Sequence, residues 1–413
     1  METVTAPGTG VEDAELTALD AAIRAAEPAY LADLARLVNV DCGSYTPDGV
    51  DEVGRFVAGF LSDVGADVEA RPDPAGRFGS TIVGTLRGAA GGPRVVLIGH
   101  MDTVFDPGTA AERPFRIDTD GRAYGPGVTD MKSGLLAGLY AVRALTAAGP
   151  LPFARLTFVA NPDEEVGSLT STPHIRELAA DADACLVLEC ARANGDIVSS
   201  RKGILDAKIT IHGRAAHAGV EPEKGRNAIL AAADLVQRIH GLNGRWPGVT
   251  FNVGVVAGGT RPNVVAERCD LEVDVRAVRR EDLEAAEAAI RDLLTGLAVP
   301  DTTAEMTDMA RWWPMEKLER SGRLVDHAVA LANRLGFEVK DTSTGGASDA
   351  NSTAGMGIPS LDGLGPIGGN DHSPAEYLEV ASIVPRTTLV AALLLAIGRD
   401  PVVLGWRAGT ARG

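Results

Sequence analysis

Short apolar runs and helix-patterned stretches alternate along the chain, and no other feature narrows the possible folds as far. RVVLIGH (94–100) is compact and rich in β-branched residues, as a strand buried on both faces must be. SGLLAGLYAVRALTAAG (133–149) is patterned as a helix and stops at Gly149-Pro150. ARLTFVANPDEE (154–165) and DACLVLEC (183–190) read as two further strands. Strands alternating with helices predict an α/β domain built on a mainly parallel sheet. Upstream, a helix is expected over 11–38 with a break at Pro28, behind a loose tail at 1–10.

The texture changes after Lys202. ILDAKITIHGRAAHAG alternates like a half-exposed strand, GRNAILAAADLVQRIHGLN is an amphipathic helix, and TFNVGVVAGG and ERCDLEVDVRAV are two more alternating strands. EDLEAAEAAIRDLLTGL is a second helix and TTAEMTDMARWW a last strand. The order β-α-β-β-α-β is the ferredoxin-like pattern. The expected layout is therefore a catalytic domain in two parts, 1–203 and 318–413, with an α+β domain inserted at 204–317 as a lid or dimerisation module. In the second part a helix (321–335), a strand (337–343), a short helix near Asp349, a Gly-rich loop (363–370) and a final helix (381–397) are expected.

Composition removes several classes of function. The 413 residues carry 56 acids against 39 Lys and Arg, a formal net charge of −17. That balance argues against nucleic acid and anionic membrane as partners. A 45% apolar content is that of a globular chain. METVTAPGTGVEDAEL has neither the basic start nor the apolar run of a signal peptide, and Leu389–Ile397 is too short to span a bilayer. Cys42, Cys185, Cys190 and Cys269 form no CxxC pair, so reduced thiols in a cytoplasmic protein are expected. Gly363 to Gly368 fits GxGxxG by letter, but contains a proline and opens no helix, so it is not a dinucleotide fingerprint.

Polar signals concentrate in five places: Gly99-His100-Met101-Asp102-Thr103-Val104, Gly125 to Lys132 around Asp130, Asn161-Pro162-Asp163-Glu164-Glu165, Glu189, and Asn370-Asp371-His372-Ser373. Most follow strands, and the carboxyl ends of strands in an open parallel sheet form the binding crevice. Singly, each has a structural reading. His100 could be a hydrogen-bonded loop residue, Asp130 a helix N-cap, and Glu164-Glu165 a solvated pair. Glu189 ends an apolar run, where an unpaired carboxylate is costly. Imidazoles and carboxylates converging on one crevice are a ligand set for a divalent metal such as Zn²⁺.

HMDTV, AYGPGVTDMK, the DEE run, the isolated Glu189 and the late DHS together resemble the di-zinc aminoacylase/carboxypeptidase metallopeptidase family over nearly the whole chain. Within it, HMDTVF, PFRIDTDGRAYGPG and HGRAAHAGVEPEKGRNAI are similar to the bacterial glutamate carboxypeptidases. The resemblance implies two Zn²⁺ per subunit, with Co²⁺ or Mn²⁺ as substitutes. His100 and Glu189 would bind one ion, Glu165 and His372 the other, and Asp130 would bridge them through a peptide bond that is cis on its C-terminal side. Asp102 would orient His100, and Glu164 would be the general base. It also implies a homodimer in which His217 reaches the partner's site to stabilise an oxyanion. Asn263 and Arg276 would hold the substrate carboxylate, with Gly346, Ser348 and Asp349 in a loop lining the pocket. A surface ion pair is the other reading of Arg276.

Two departures stand out. Relatives often have Glu-Pro where this chain has Glu189-Cys190, and their Arg-rich run before a proline is here Ala310-Arg311-Trp312-Trp313-Pro314. The tryptophans point to a more apolar substrate side if they reach the cleft. The expected activity is hydrolysis of a peptide or N-acyl amide next to a free carboxylate, on a small-molecule substrate. An N-acyl-amino-acid deacylase, a dipeptidase and a catalytically silent ligand-binding relative are the alternatives.

Overall fold

The structure is a computed structural model that describes residues 8–409. It divides into two compact units, Met1–Ser199 with Lys317–Ser343 and Ser348–Gly413, and Ser200–Glu316 with Thr344–Ala347. The first seven residues of the expected tail lie outside the described residues.

The first unit is a helix-covered, mainly parallel sheet. Its strands are β1 (Asp67–Arg71), β2 (Thr81–Arg87), β3 (Arg94–His100), β4 (Arg155–Asn161), β5 (Ala184–Val187) and the short edge Ser360–Leu361. They lie in the order β1-β2-β4-β3-β5-edge. The pairs from β4 to the edge are parallel, whereas β1 and β2 pair antiparallel and add an unanticipated ribbon to one side. β3 is buried over nearly its whole length, as its unbroken apolar run requires.

Three long helices pack together, Asp13–Val38, Ser133–Ala148 and Ile383–Arg399, and Ser133–Ala148 among them lies against β3. The helix Asp13–Val38 runs through Pro28 without the expected break. Pro28 sits on the exposed face, where water can take the hydrogen bond that the ring denies to the preceding turn. The segment Val380–Arg399 is long and apolar enough to cross a membrane, yet Ile383–Arg399 is a core helix whose side chains are almost all buried. A last helix, Pro401–Gly409, follows it and was not anticipated.

The second unit has the ferredoxin-like order. Strands β6 (Gly203–His212), β7 (Thr250–Gly258), β8 (Arg268–Ala277) and β9 (Thr303–Trp312) form one antiparallel sheet ordered β7-β8-β6-β9. The helices Ala228–His240 and Arg280–Leu294 cover one face. Alternate residues of β8, such as Leu271, Val273 and Val275, enter the core beneath them.

Candidate metal centre

The chemistry-bearing residues of the first unit meet at the carboxyl ends of its parallel strands. His100 is the last residue of β3. Beyond β4, a single 3₁₀ turn presents Glu164 and Glu165. Glu189 lies two residues past β5. Asp130 sits just before the helix Ser133–Ala148, and its peptide bond to Met131 is cis. His372 comes from the loop after the strand Gly368–Gly369.

Two donor groups result, and Asp130 belongs to both. His100 Nε2 lies 3.1 Å from Asp130 Oδ1 and 3.7 Å from Glu189 Oε1. His372 Nε2 lies 3.1 Å from Asp130 Oδ2 and 3.0 Å from Glu165 Oε2. Within each group the nearest donor atoms fall within 4.8 Å of one another. Each oxygen of Asp130 thus faces a different group, as a carboxylate shared by two cations must.

The electrostatics fit that chemistry. Burial pushes Glu164 well above the usual carboxylate range, and the neighbouring Glu189 raises it further. Burial raises Glu165 too. The carboxylates Asp130 and Glu165 hold His372 protonated to about 11. Burial opposes protonation of His100, but Asp102 and Asp130 outweigh it. A crowd of buried and half-buried carboxylates competing for two imidazolium protons is what dications relieve, with nitrogen and oxygen donors suited to Zn²⁺.

Asp102 is fully buried and serves more than His100. His100 Nδ1 lies 3.0 Å from the Asp102 carbonyl oxygen and 3.4 Å from Oδ1, so the backbone is the nearer acceptor. The carboxylate accepts from Ser44 Oγ at 2.6 Å, Glu164 N at 3.1 Å and Glu165 N at 3.2 Å. It therefore fixes the turn that carries both glutamates. Ser44 gave no signal in the sequence.

The other expected residues divide. Asp349 is buried and accepts from Ser168 Oγ at 2.6 Å and from Asn161 Nδ2. Burial raises it to about 7. Ser348 is buried, caps the helix Asp349–Ala354, and donates to Asp362 at 2.6 Å. Arg276 adopts the ion-pair arrangement, with Nε 3.0 Å from Asp274 Oδ2 and Nη1 donating to the Gly345 carbonyl at 2.9 Å. Gly346 is exposed in the second unit, and its carbonyl accepts from Arg201 at 3.1 Å.

His217 and Asn263 are exposed on neighbouring loops of the second unit, where Ala218 N donates to the Asn263 carbonyl at 3.0 Å. Trp313 is half-buried against that unit's own core, with the Arg280 guanidinium 4.0 Å from its ring centre. Cys190 is buried, 3.8 Å from Asp371 Oδ2, and burial pushes its thiol well up.

The sequence matches peptidase family M20/M25/M40 over residues 96–396. It is 33% identical over 376 residues to carboxypeptidase G2 of Pseudomonas sp. (strain RS-16), covering 90% of each chain. It is 29% identical to a succinyl-diaminopimelate desuccinylase of Leptothrix cholodnii, covering 85% of this chain and 96% of that one. Among solved structures, an aminopeptidase PepT from Bacillus cereus superposes with a TM-score of 0.75 at 24% identity, covering 90% of this chain and 99% of that one.

Proposed function

Because the chain belongs to peptidase family M20/M25/M40 and is thereby a hydrolase, we propose that it cleaves a peptide or N-acyl amide bond next to a free carboxylate. The observation that carries this reading is the pair of donor groups joined through Asp130, with half-buried Glu164 beside them. His100, Asp130 and Glu189 would hold one ion, and Asp130, Glu165 and His372 the other. Zn²⁺ is the first choice, with Co²⁺ or Mn²⁺ as substitutes. When bound, such ions supply Lewis-acid activation of water and of the scissile carbonyl.

The remaining work falls to side chains. Glu164 takes the proton of the attacking water and hands it to the leaving amine. Asp102 keeps that base and its neighbour Glu165 in place through their backbone N–H groups. His217 accepts from Gly219 N at 3.1 Å through Nδ1, which leaves the ring proton on Nε2. In that tautomer Nε2–H can donate to an oxyanion developing in the partner subunit's site. Asn263, with an exposed side-chain amide, is the proposed contact for the substrate carboxylate.

Glutamate carboxypeptidase-like activity is the first assignment, supported by the 33% identity to carboxypeptidase G2. Deacylation of N-acyl amino acids is the second, supported by the desuccinylase relative. Release of free amino acid from matched N-acyl-glutamate, N-succinyl and dipeptide substrates separates the two. Zinc-loaded protein that hydrolyses none of these amides overturns both and leaves a ligand-binding role. The four buried cysteines, none in a disulfide, fit a reducing compartment, and we place the protein in the cytoplasm. We also propose a homodimer formed through the second unit. There the sheet-edge strand β7 exposes Val255 and Val256, and the helix Ala228–His240 exposes Ile229 and Leu230.

A further inference from the structure

Glu376 takes no part in the steps above. It lies four residues beyond His372 and is 1% exposed. Its carboxylate grips the loop that carries Asp130. Oε2 accepts from Gly127 N at 2.9 Å, while Oε1 accepts from Thr129 N at 2.9 Å and Asp130 N at 3.1 Å. Three backbone N–H groups converging on one carboxylate form an anion-binding concavity, filled here by a residue from a distant part of the chain.

The attachment is reinforced on both sides. Upstream, Glu376 N donates to the Ser373 carbonyl at 3.2 Å, which closes the turn leading back to His372. Downstream, Tyr377–Glu379 pairs antiparallel with Arg122–Tyr124, the strand that leads into the Asp130 loop. The His372 loop and the Asp130 loop are thus joined by a strand pair and by one buried carboxylate. These two loops contribute two of the three side chains in the Asp130, Glu165 and His372 group.

We propose that Glu376 is a positioning residue for that group: it sets the spacing between Asp130 and His372 and so the affinity for the ion they share. The inference rests on the two-ion reading given above. Glu376→Gln keeps the shape but replaces one acceptor oxygen with an NH₂ group that must face a backbone N–H donor. Glu376→Asp keeps the charge but shortens the reach by one methylene, so it cannot hold all three amides at their present distances.

The test is a calorimetric Zn²⁺ titration of metal-free wild type and both variants. Alongside it, the melting midpoint and the exchange rates of the Gly127, Thr129 and Asp130 amides are measured without metal. Wild type should bind two ions. Each variant should bind one of them about 10–100-fold more weakly, with faster exchange at those three amides and a melting midpoint close to wild type. Glu379→Gln, on the strand that follows Glu376 but with no bond to the loop amides among the described residues, should behave as wild type. Unchanged zinc affinities in Glu376→Gln overturn the role of Glu376 alone. So does a collapsed metal-free melting transition in both variants, which marks a general structural role. A wild type that binds no zinc overturns the two-ion reading as well.

Discussion

At the scale of single residues, Glu164 and Glu165 show how neighbours in one turn can serve different ends. Glu165 Oε2 lies 3.0 Å from His372, inside a donor group, whereas Glu164 belongs to neither group. Glu164→Gln should retain both ions by metal analysis while kcat falls by about 10²–10⁴, the usual worth of a positioned general base. A variant that keeps wild-type turnover removes Glu164 as the base. Of the residues that form the donor groups, His100, Glu165 and Glu189 were legible in the sequence because they follow apolar strands, where an imidazole or carboxylate has few uses, whereas Asp130 and His372 took their expected roles from the family resemblance. Ser44 and Glu376 were not legible, because each acts by a hydrogen bond to a segment at least 58 residues away. The ion-pair reading of Arg276 was legible. Asp274 stands two residues earlier on an alternating strand and so shares its face, which makes it the natural partner.

At the scale of elements, the site depends on how closely the helix Ser133–Ala148 meets the end of β5. A Cβ on Gly134 would stand 1.8 Å from the Leu188 carbonyl oxygen. Gly134→Ala must therefore push the helix start away from the segment that carries Glu189. We expect a stability loss of about 1–3 kcal/mol in urea unfolding, together with weaker zinc binding. Wild-type stability and zinc affinity would show that the backbone relaxes elsewhere. No pattern of letters marks this approach, since Gly134 reads only as a weak helix former. The junction at Asp400 is a second case. Burial alone would raise its pKa, but hydrogen bonds from Arg323 and His327 lower it to about 2, against an ordinary value of 3.8. The lowered value means that its stabilisation is complete above about pH 4 and fades as pH falls through about 2. Asp400→Asn should therefore cost about 1–3 kcal/mol at pH 7, and the gap to wild type should close between pH 4 and 2. A gap that stays constant with pH would assign the cost to packing rather than charge.

At the scale of the whole molecule, the two kinds of periodicity in the sequence map onto two units with different sheets. Unbroken apolar strands build the parallel sheet of the first, and alternating strands build the antiparallel sheet of the second. The return of Thr344–Ala347 to the second unit was not legible, because four residues carry no period. If the exposed Val255, Val256, Ile229 and Leu230 form a dimer contact, Val256→Asp with Leu230→Asp should shift sedimentation from dimer to monomer. Wild type that sediments as a monomer refutes the contact directly. The net charge of −17 leads to the last expectation. A substrate with a free carboxylate approaches an acidic surface, so its encounter is slowed at low salt. Screening shortens the range of that repulsion from about 30 Å at 0.01 M ionic strength to about 8 Å at 0.15 M. For an anionic substrate, kcat/KM should therefore rise over that interval, while a neutral carboxamide analogue should show little change. A kcat/KM that falls with salt for the anionic substrate alone would mean that the local field of the bound cations, rather than the acidic surface, governs its approach.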